Sequence, residues 1–304
     1  MGKASSAKQD GDRRSRIAAQ RSADQRTRRR NRLLLASGAI VVVVAVVLAL
    51  VLLQGGNSGS TAGGPSGPTG GALTALTGQV TSVPAATFEQ VGAGTVTSPP
   101  TTITGAALTS GGKPEVLYIG AEYCPYCAAE RWAMIAALSR FGTFNGLSTI
   151  RSAARDGSGT AEPFPNTATW TFAKSRYASK YLTFTPVEEF TNIPDSSTGG
   201  YTTLQTPTAE QQALIQKYDA ANQGAIPFID YGNKYMSVGA SYDPGVLSGL
   251  SWSQIADDMR SPSSAVAKGV LGTANYATAA ICSLTGDQPA TVCTPAVKAL
   301  QAKI

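Results

Sequence analysis

The chain contains no histidine. That excludes Ser-His-Asp hydrolysis, Cys-His proteolysis, His-ligated zinc or haem, and any imidazole general base. Charge is scarce as well, with Asp, Glu, Lys and Arg making up 14% of 304 residues. Against 42% hydrophobic residues, that composition supports a packed core and excludes wholesale disorder. No phosphate-binding glycine motif and no internal repeat is present. Glu188-Glu189 reads as a solvated polar pair on a strand, and no acid stands opposite it as a carboxylate hydrolase would need. Methionine numbers only four, which leaves few soft ligands for a metal chaperone. Cysteine is equally rare. Cys124, Cys127, Cys282 and Cys293 are the whole set, and the most specific chemistry belongs to them.

The formal charge of +6 is unevenly spread. Residues 1–32 hold eleven Lys/Arg and three Asp, whereas residues 33–304 hold fourteen Lys/Arg and sixteen Asp/Glu. The basic character is confined to a disordered head, so no basic stripe marks the body for nucleic acid. Leu33 to Leu53 then runs 21 residues without a charge. At 1.5 Å per residue such a helix covers about 31 Å, enough for a hydrocarbon layer of roughly 30 Å. A cleaved signal peptide would have a shorter apolar region and a small-residue cleavage site after it. The run therefore reads as a retained signal-anchor, a single transmembrane helix. Arg26, Arg28, Arg29, Arg30 and Arg32 abut it, which puts the N-terminus in the cytoplasm and everything after the span outside the cell membrane. RNA or anionic lipid could also draw on the charge of the head, but topology alone accounts for it.

Residues 54–72 are Gly, Ser, Thr and Pro with no bulky apolar side chain, a flexible linker. A folded domain is expected over 73–262 and a helical extension over 263–304. Residues 73–112 read as a short helix or lead-in strand followed by a loop. Val116–Ile119 is an unbroken apolar run that suits a strand buried on both faces. Ala128–Arg140 reads as a helix, with Trp132, Ile135 and Leu138 at helical spacing. Leu147–Ser152 is then expected to close a β-α-β unit. Strands are also expected at Thr169–Phe172 and Tyr181–Phe190, and a helix at Thr208–Ala221. Ile226–Tyr231 and Lys234–Val238 flank a Gly232-Asn233 hairpin turn. Three helices complete the tail, Pro244–Met259, Ser264–Thr285 and Pro289–Ala302. Trp132, Trp170 and Trp252 read as core or groove residues rather than a cofactor box.

Cys124-Pro125-Tyr126-Cys127 sits where that buried strand gives way to the helix. The first sulfur then lies at the helix N-terminus, where free N–H groups and the dipole favour an anion. This lowers the thiol pKa of Cys124 and makes it a nucleophile. Cys127, one turn on, is close enough to resolve a mixed disulfide formed on Cys124. Pro125 suits the first turn, where a missing N–H costs nothing. Two other readings compete. A C-x-x-C can be half of a zinc site, although Cys282-x10-Cys293 is a poor second knuckle. It can also be a purely structural disulfide, which would be strained and would not need the strand-helix junction. Ile226-Pro227 enters a buried strand, where proline is unusual because it cannot donate to the ladder. A cis bond there would present the Ile226 backbone beside the cysteines, for pairing with an extended substrate; an ordinary trans proline at a strand start is the alternative. Cys282 and Cys293 read most simply as a structural disulfide joining two tail helices outside the cytoplasm, with a second redox pair as the sharper alternative.

Taken together, this order of elements resembles a thioredoxin-fold thiol–disulfide oxidoreductase. The run Tyr118-Ile-Gly-Ala-Glu-Tyr-Cys-Pro-Tyr-Cys-Ala-Ala-Glu-Arg-Trp132, with Leu138-Ser-Arg-Phe-Gly142 after it, resembles more closely a group of membrane-anchored prokaryotic thioredoxin-like proteins that carry a domain of unknown function. The resemblance covers residues 80–260. It implies an α/β, thioredoxin-like fold: a central mixed sheet flanked by helices, with a helical or irregular insertion over 155–222. It also implies catalytic roles for Cys124 (attacking), Cys127 (resolving) and Pro227 (the cis-proline), with Pro125, Tyr126 and Ile226 in the substrate groove. Two positions depart from the family pattern. Tyr118 occupies the place of a buried acid on the preceding strand, leaving Glu122 as the nearest proton acceptor, and Tyr126 stands where strong oxidants carry histidine.

The function these features lead us to expect is extracytoplasmic, membrane-anchored exchange of client disulfides, by oxidation, reduction or isomerisation, with no metal and no cofactor. The partners would be client proteins with cysteine pairs and, for oxidation, a quinone-linked membrane protein. A non-catalytic cell-envelope scaffold that keeps the fold is the alternative.

Overall fold

The computed structural model describes residues 67–304. The basic head, the apolar run and residues 54–66 of the linker lie outside the described residues. Among those described, no helix is long and apolar enough to cross a membrane. The chain opens on two helices, α1 (Gly70–Thr81) and α2 (Ala85–Val91). Helix therefore starts inside the expected linker, and of the short helix or lead-in strand expected after it the helix forms. Leu76 and Val80, four residues apart on one face of α1, are both buried and supply the reason.

Short strands β1 (Thr101–Thr102) and β2 (Thr109–Ser110) lead to β3 (Lys113–Gly120), and α3 (Pro125–Leu138) follows. Next come β4 (Thr143–Asn145), β5 (Ser148–Arg151), β6 (Ala168–Thr171), β7 (Arg176–Ala178) and β8 (Thr183–Glu188). A hairpin of β9 (Phe190–Asp195) and β10 (Gly200–Thr203) precedes α4 (Ala209–Tyr218). Strands β11 (Phe228–Tyr231) and β12 (Tyr235–Val238) then lead to α5 (Trp252–Met259), α6 (Ala265–Leu284) and α7 (Pro295–Gln301).

One mixed sheet organises the described chain. Its order is β1-β12-β11-β3, with β2 against the first residues of β3 and β8 along the rest of it. β3 runs parallel to β8 and antiparallel to β11, and β11 and β12 form the hairpin across Gly232-Asn233. Side chains alternate across β3. Val116 and Tyr118 join the large core with α3, α5 and α6, while Leu117 and Ile119 join a smaller core with Phe228, Leu214 and Ile215 on the α4 side. Helices on both faces explain why the strand reads as an unbroken apolar run.

Four expectations need correction. The parallel partner of β3 is β8, not Leu147–Ser152. That segment forms β5, which pairs antiparallel with β6 in a separate two-stranded sheet. Its residues are half-buried or exposed, so it lacks the two covered faces that an inner parallel strand needs. The insertion is not chiefly helical. Much of the chain between α3 and β11 folds as strand pairs β4–β7, β5–β6 and β9–β10, and β8 within it belongs to the central sheet. Pro244–Met259 is not one helix. A 3-10 turn (Pro244–Leu247) ends before Ser251, which starts α5 afresh through a capping box with Gln254. Similarly, the last helix begins at Pro295, so Cys293, disulfide-bonded to Cys282 of α6, lies just outside it.

Candidate redox site

Cys124 is the N-cap of α3. Its backbone is extended (φ −68°, ψ 122°), and its Sγ accepts a hydrogen bond from the Cys127 N–H at 3.1 Å. Pro125 occupies the first helical position, where its fixed φ suits the turn. Both cysteines are free thiols. Ile226 and Pro227 are joined by a cis peptide bond, and the Ile226 carbonyl oxygen lies 3.8 Å from Cys124 Sγ. The tip of α3 and the entry to β11 therefore meet at one sulfur, although 102 residues separate them.

The two thiols differ in electrostatics. Burial alone would raise the pKa of Cys124. The Cys127 thiol, the Cys127 and Tyr126 N–H groups and the Arg131 cation outweigh that effect and lower it. Cys127 moves the opposite way, raised by its own burial and by donating to, and lying beside, Cys124. One sulfur is thus predisposed to attack and the other to hold its proton. Reach is narrow. Cys124 is 4% exposed and Cys127 fully buried, with Tyr123, Phe190 and Ile226 packed over them. Tyr126 is the exposed member of the motif and meets the Phe164 ring edge-on.

A charge pair underlies the motif, and sequence reasoning missed it. Arg131, one turn beyond Cys127 on α3, is fully buried. Its Nε and Nη2 bond the two Glu188 carboxylate oxygens at 2.9 and 2.6 Å, and Nη2 also donates to the Ala121 carbonyl at 2.6 Å. Glu188 is fully buried too, which corrects the expectation of a solvated Glu188-Glu189 pair. The Phe172 N–H and the Arg131 fork hold its carboxylate at the end of β8. The signal available was spacing: Arg131 lies four residues after Cys127, on the helix face that carries the sulfurs.

Tyr118 is fully buried, and its hydroxyl has no hydrogen-bond partner. Glu122 accepts a hydrogen bond from Thr171 Oγ1 at 2.6 Å, so its carboxylate is engaged with β6. Glu130, also missed from sequence, is buried among Ser241, Tyr231 and Tyr242, and burial pushes its carboxyl up to about 7. All three tryptophans are core residues, and Trp132 and Trp252 donate to the Ala168 and Thr169 carbonyls.

Residues 99–283 match the model of a family described as a domain of unknown function, DUF929. The chain belongs to the DUF929 family. The DUF929 match takes in both motif cysteines, Arg131, Glu188 and Pro227, together with every strand of the central sheet. It ends between the two disulfide cysteines, leaving Cys293 outside. No curated protein and no solved structure matches the chain.

Proposed function

We propose that this DUF929 protein is a thioredoxin-fold thiol–disulfide exchanger, tethered to the cell membrane by residues 33–53 with its folded domain outside. The observation that carries the reading is the meeting at Cys124 Sγ of a helix N-terminus and the Ile226 carbonyl at the entry to β11. The strand order β8-β3-β11-β12 supports the fold, with the motif helix crossing between the two parallel strands. The apolar run and the basic cluster before it support the tether and its orientation.

In the reducing direction, the Cys124 thiolate attacks one sulfur of a client disulfide. A mixed disulfide forms and the client's other sulfur leaves as a thiolate. Cys127 then gives up its proton, which passes to the client thiolate, and attacks Cys124 Sγ. The client's second sulfur, released from Cys124 Sγ as a thiolate, takes a proton from water; the products are the Cys124–Cys127 disulfide and a client dithiol, so two electrons have moved to the client. Oxidation runs the same steps backwards and needs a quinone-linked membrane partner to reoxidise the pair. Glu122, two residues before Cys124 in the chain, is the proposed acceptor for the Cys127 proton, and Pro125, Tyr126 and Ile226 would line the client's path.

The near-complete cover over Cys124 favours the second reading, a non-catalytic cell-envelope scaffold with inert cysteines. A trapping experiment separates the two. Cys127→Ser in the full chain should accumulate mixed disulfides with clients on non-reducing gels, and Cys124→Ser none. Absence of any trap, with no measurable redox couple against glutathione, establishes the scaffold instead. Where a couple exists, a potential of about −120 mV marks an oxidant and one of about −270 mV a reductant.

A further inference from the structure

A pocket of about 380 Å³ is lined by Glu189, Gln212, Ile215, Gln216, Gln223 and Gly224, with Ala220. Two of its lining residues lie within two residues, along the chain, of side chains that pack on the cysteines. On one wall, the Glu189 N–H donates to the Gly120 carbonyl at 2.7 Å, and the next residue, Phe190, packs over the cysteines. On the other, Gly224 stands two residues before Ile226, whose carbonyl faces Cys124 Sγ. The volume, at the small end of ligand pockets, takes one or two side chains of an extended peptide.

The chemistry of the lining is uneven. Three glutamines line it together with a single charged residue, Glu189. Neither ion pair among the described residues involves Glu189. Partial burial raises its carboxyl, so the charged form lacks compensation that a cation would supply. Amide oxygens around it would accept the remaining N–H donors of such a cation.

We propose that this pocket receives a lysine or arginine side chain of the client, a few residues along an extended chain from the reacting cysteine. The proposal rests on the thiol-exchange reading and adds a substrate class to it: clients with a basic residue close to the cysteine.

The test uses the reduced full-length chain and short peptides whose one cysteine is activated as a mixed disulfide with thiopyridine. The peptides differ only in carrying Lys, Gln or Glu at the flanking position. At low salt the Lys peptide should react about fivefold faster than the Glu peptide. That ratio should fall to near one in Glu189→Gln and invert in Glu189→Lys. Glu210→Gln, an equal charge change at an exposed position of α4, should keep it. A ratio of one in the unaltered chain, or a ratio that survives Glu189→Gln, overturns the proposal. If no peptide reacts, and free dipyridyl disulfide does not react either, the exchange reading has failed and the pocket is judged by binding. Fluorescence anisotropy with serine-for-cysteine peptides then decides: a Lys-over-Glu preference lost in Glu189→Gln upholds the pocket, and equal binding sinks it.

Discussion

Cys282 lies near the C-terminal end of α6, where the helix presents carbonyl oxygens, and Cys124 caps the N-terminal end of α3, where it presents N–H groups. Both are buried, Cys282 completely and Cys124 to all but 4%. Cys282 is bonded to Cys293 across a loop and is packed in the large core of the tail helices. Cys124 is free, receives an N–H bond, and has a buried cation within electrostatic reach. A thiolate is favoured at one helix end and disfavoured at the other. Burial alone therefore does not make a sulfur inert; the element it terminates, and the charge behind it, decide what it can do.

Removing that charge should bring the two environments closer and gives the largest expected effect. Arg131→Met leaves Glu188 buried without its partner and should cost about 3–5 kcal/mol in denaturant unfolding. It should also raise the Cys124 pKa, read as thiolate absorbance against pH. Arg131→Met with Glu188→Leu removes both charges and should recover most of the stability, because well-packed apolar residues replace a buried ion pair at little cost. The thiol pKa should stay high in that double variant. A Cys124 titration unchanged there would mean that Arg131 only braces Ala121 and β8.

The opposite manipulation sharpens the contrast. Cys282→Ser with Cys293→Ser should lower unfolding stability by roughly 2–3 kcal/mol, the chain-entropy value for a loop of about ten residues. The exchange rate of Cys124 should not change. A loss of exchange in the still-folded variant would tie the second pair to the chemistry and erase the distinction.

The smallest effect lies between the two regions, where Glu130 of α3 accepts hydrogen bonds from the Ser241 N–H and hydroxyl on the way from β12 to the tail. Its carboxyl is raised from 4.5 to about 7 in the folded chain. Between these values the folded state keeps a proton that the unfolded state has lost. Stability therefore falls as pH rises through that window and levels off above it. Asp230, raised to about 6 chiefly by burial, contributes with the same sign. Glu130→Gln should flatten the decline by on the order of 1–2 kcal/mol between pH 5 and pH 8 in thermal or urea unfolding. An unaltered slope would show that Glu130 is ionised throughout.

Local chemistry carried much of this architecture. The apolar run Val116–Ile119 marks β3, Gly232-Asn233 marks the hairpin, and proline after Cys124 marks the start of α3. Each of these depends on residues adjacent in the chain, so one sequence suffices to read it. The β-α-β partner was misjudged because Ser148–Arg151 and Thr183–Glu188 are both short strands, and nothing local says which one pairs with β3. Glu188 was misjudged for a related reason. A glutamate beside another glutamate looks solvated until a guanidinium from a helix 57 residues earlier meets it.

The sequence by itself determined which atoms could react: it held no imidazole, a single C-x-x-C, and a helix start to place its first sulfur on. Only the tertiary structure decided the surroundings of that sulfur, namely the Ile226 carbonyl, the Arg131–Glu188 pair beneath the motif and the aromatic cover. Backbone propensity acts over a few residues, whereas burial and Coulomb energy act between residues that folding alone brings together.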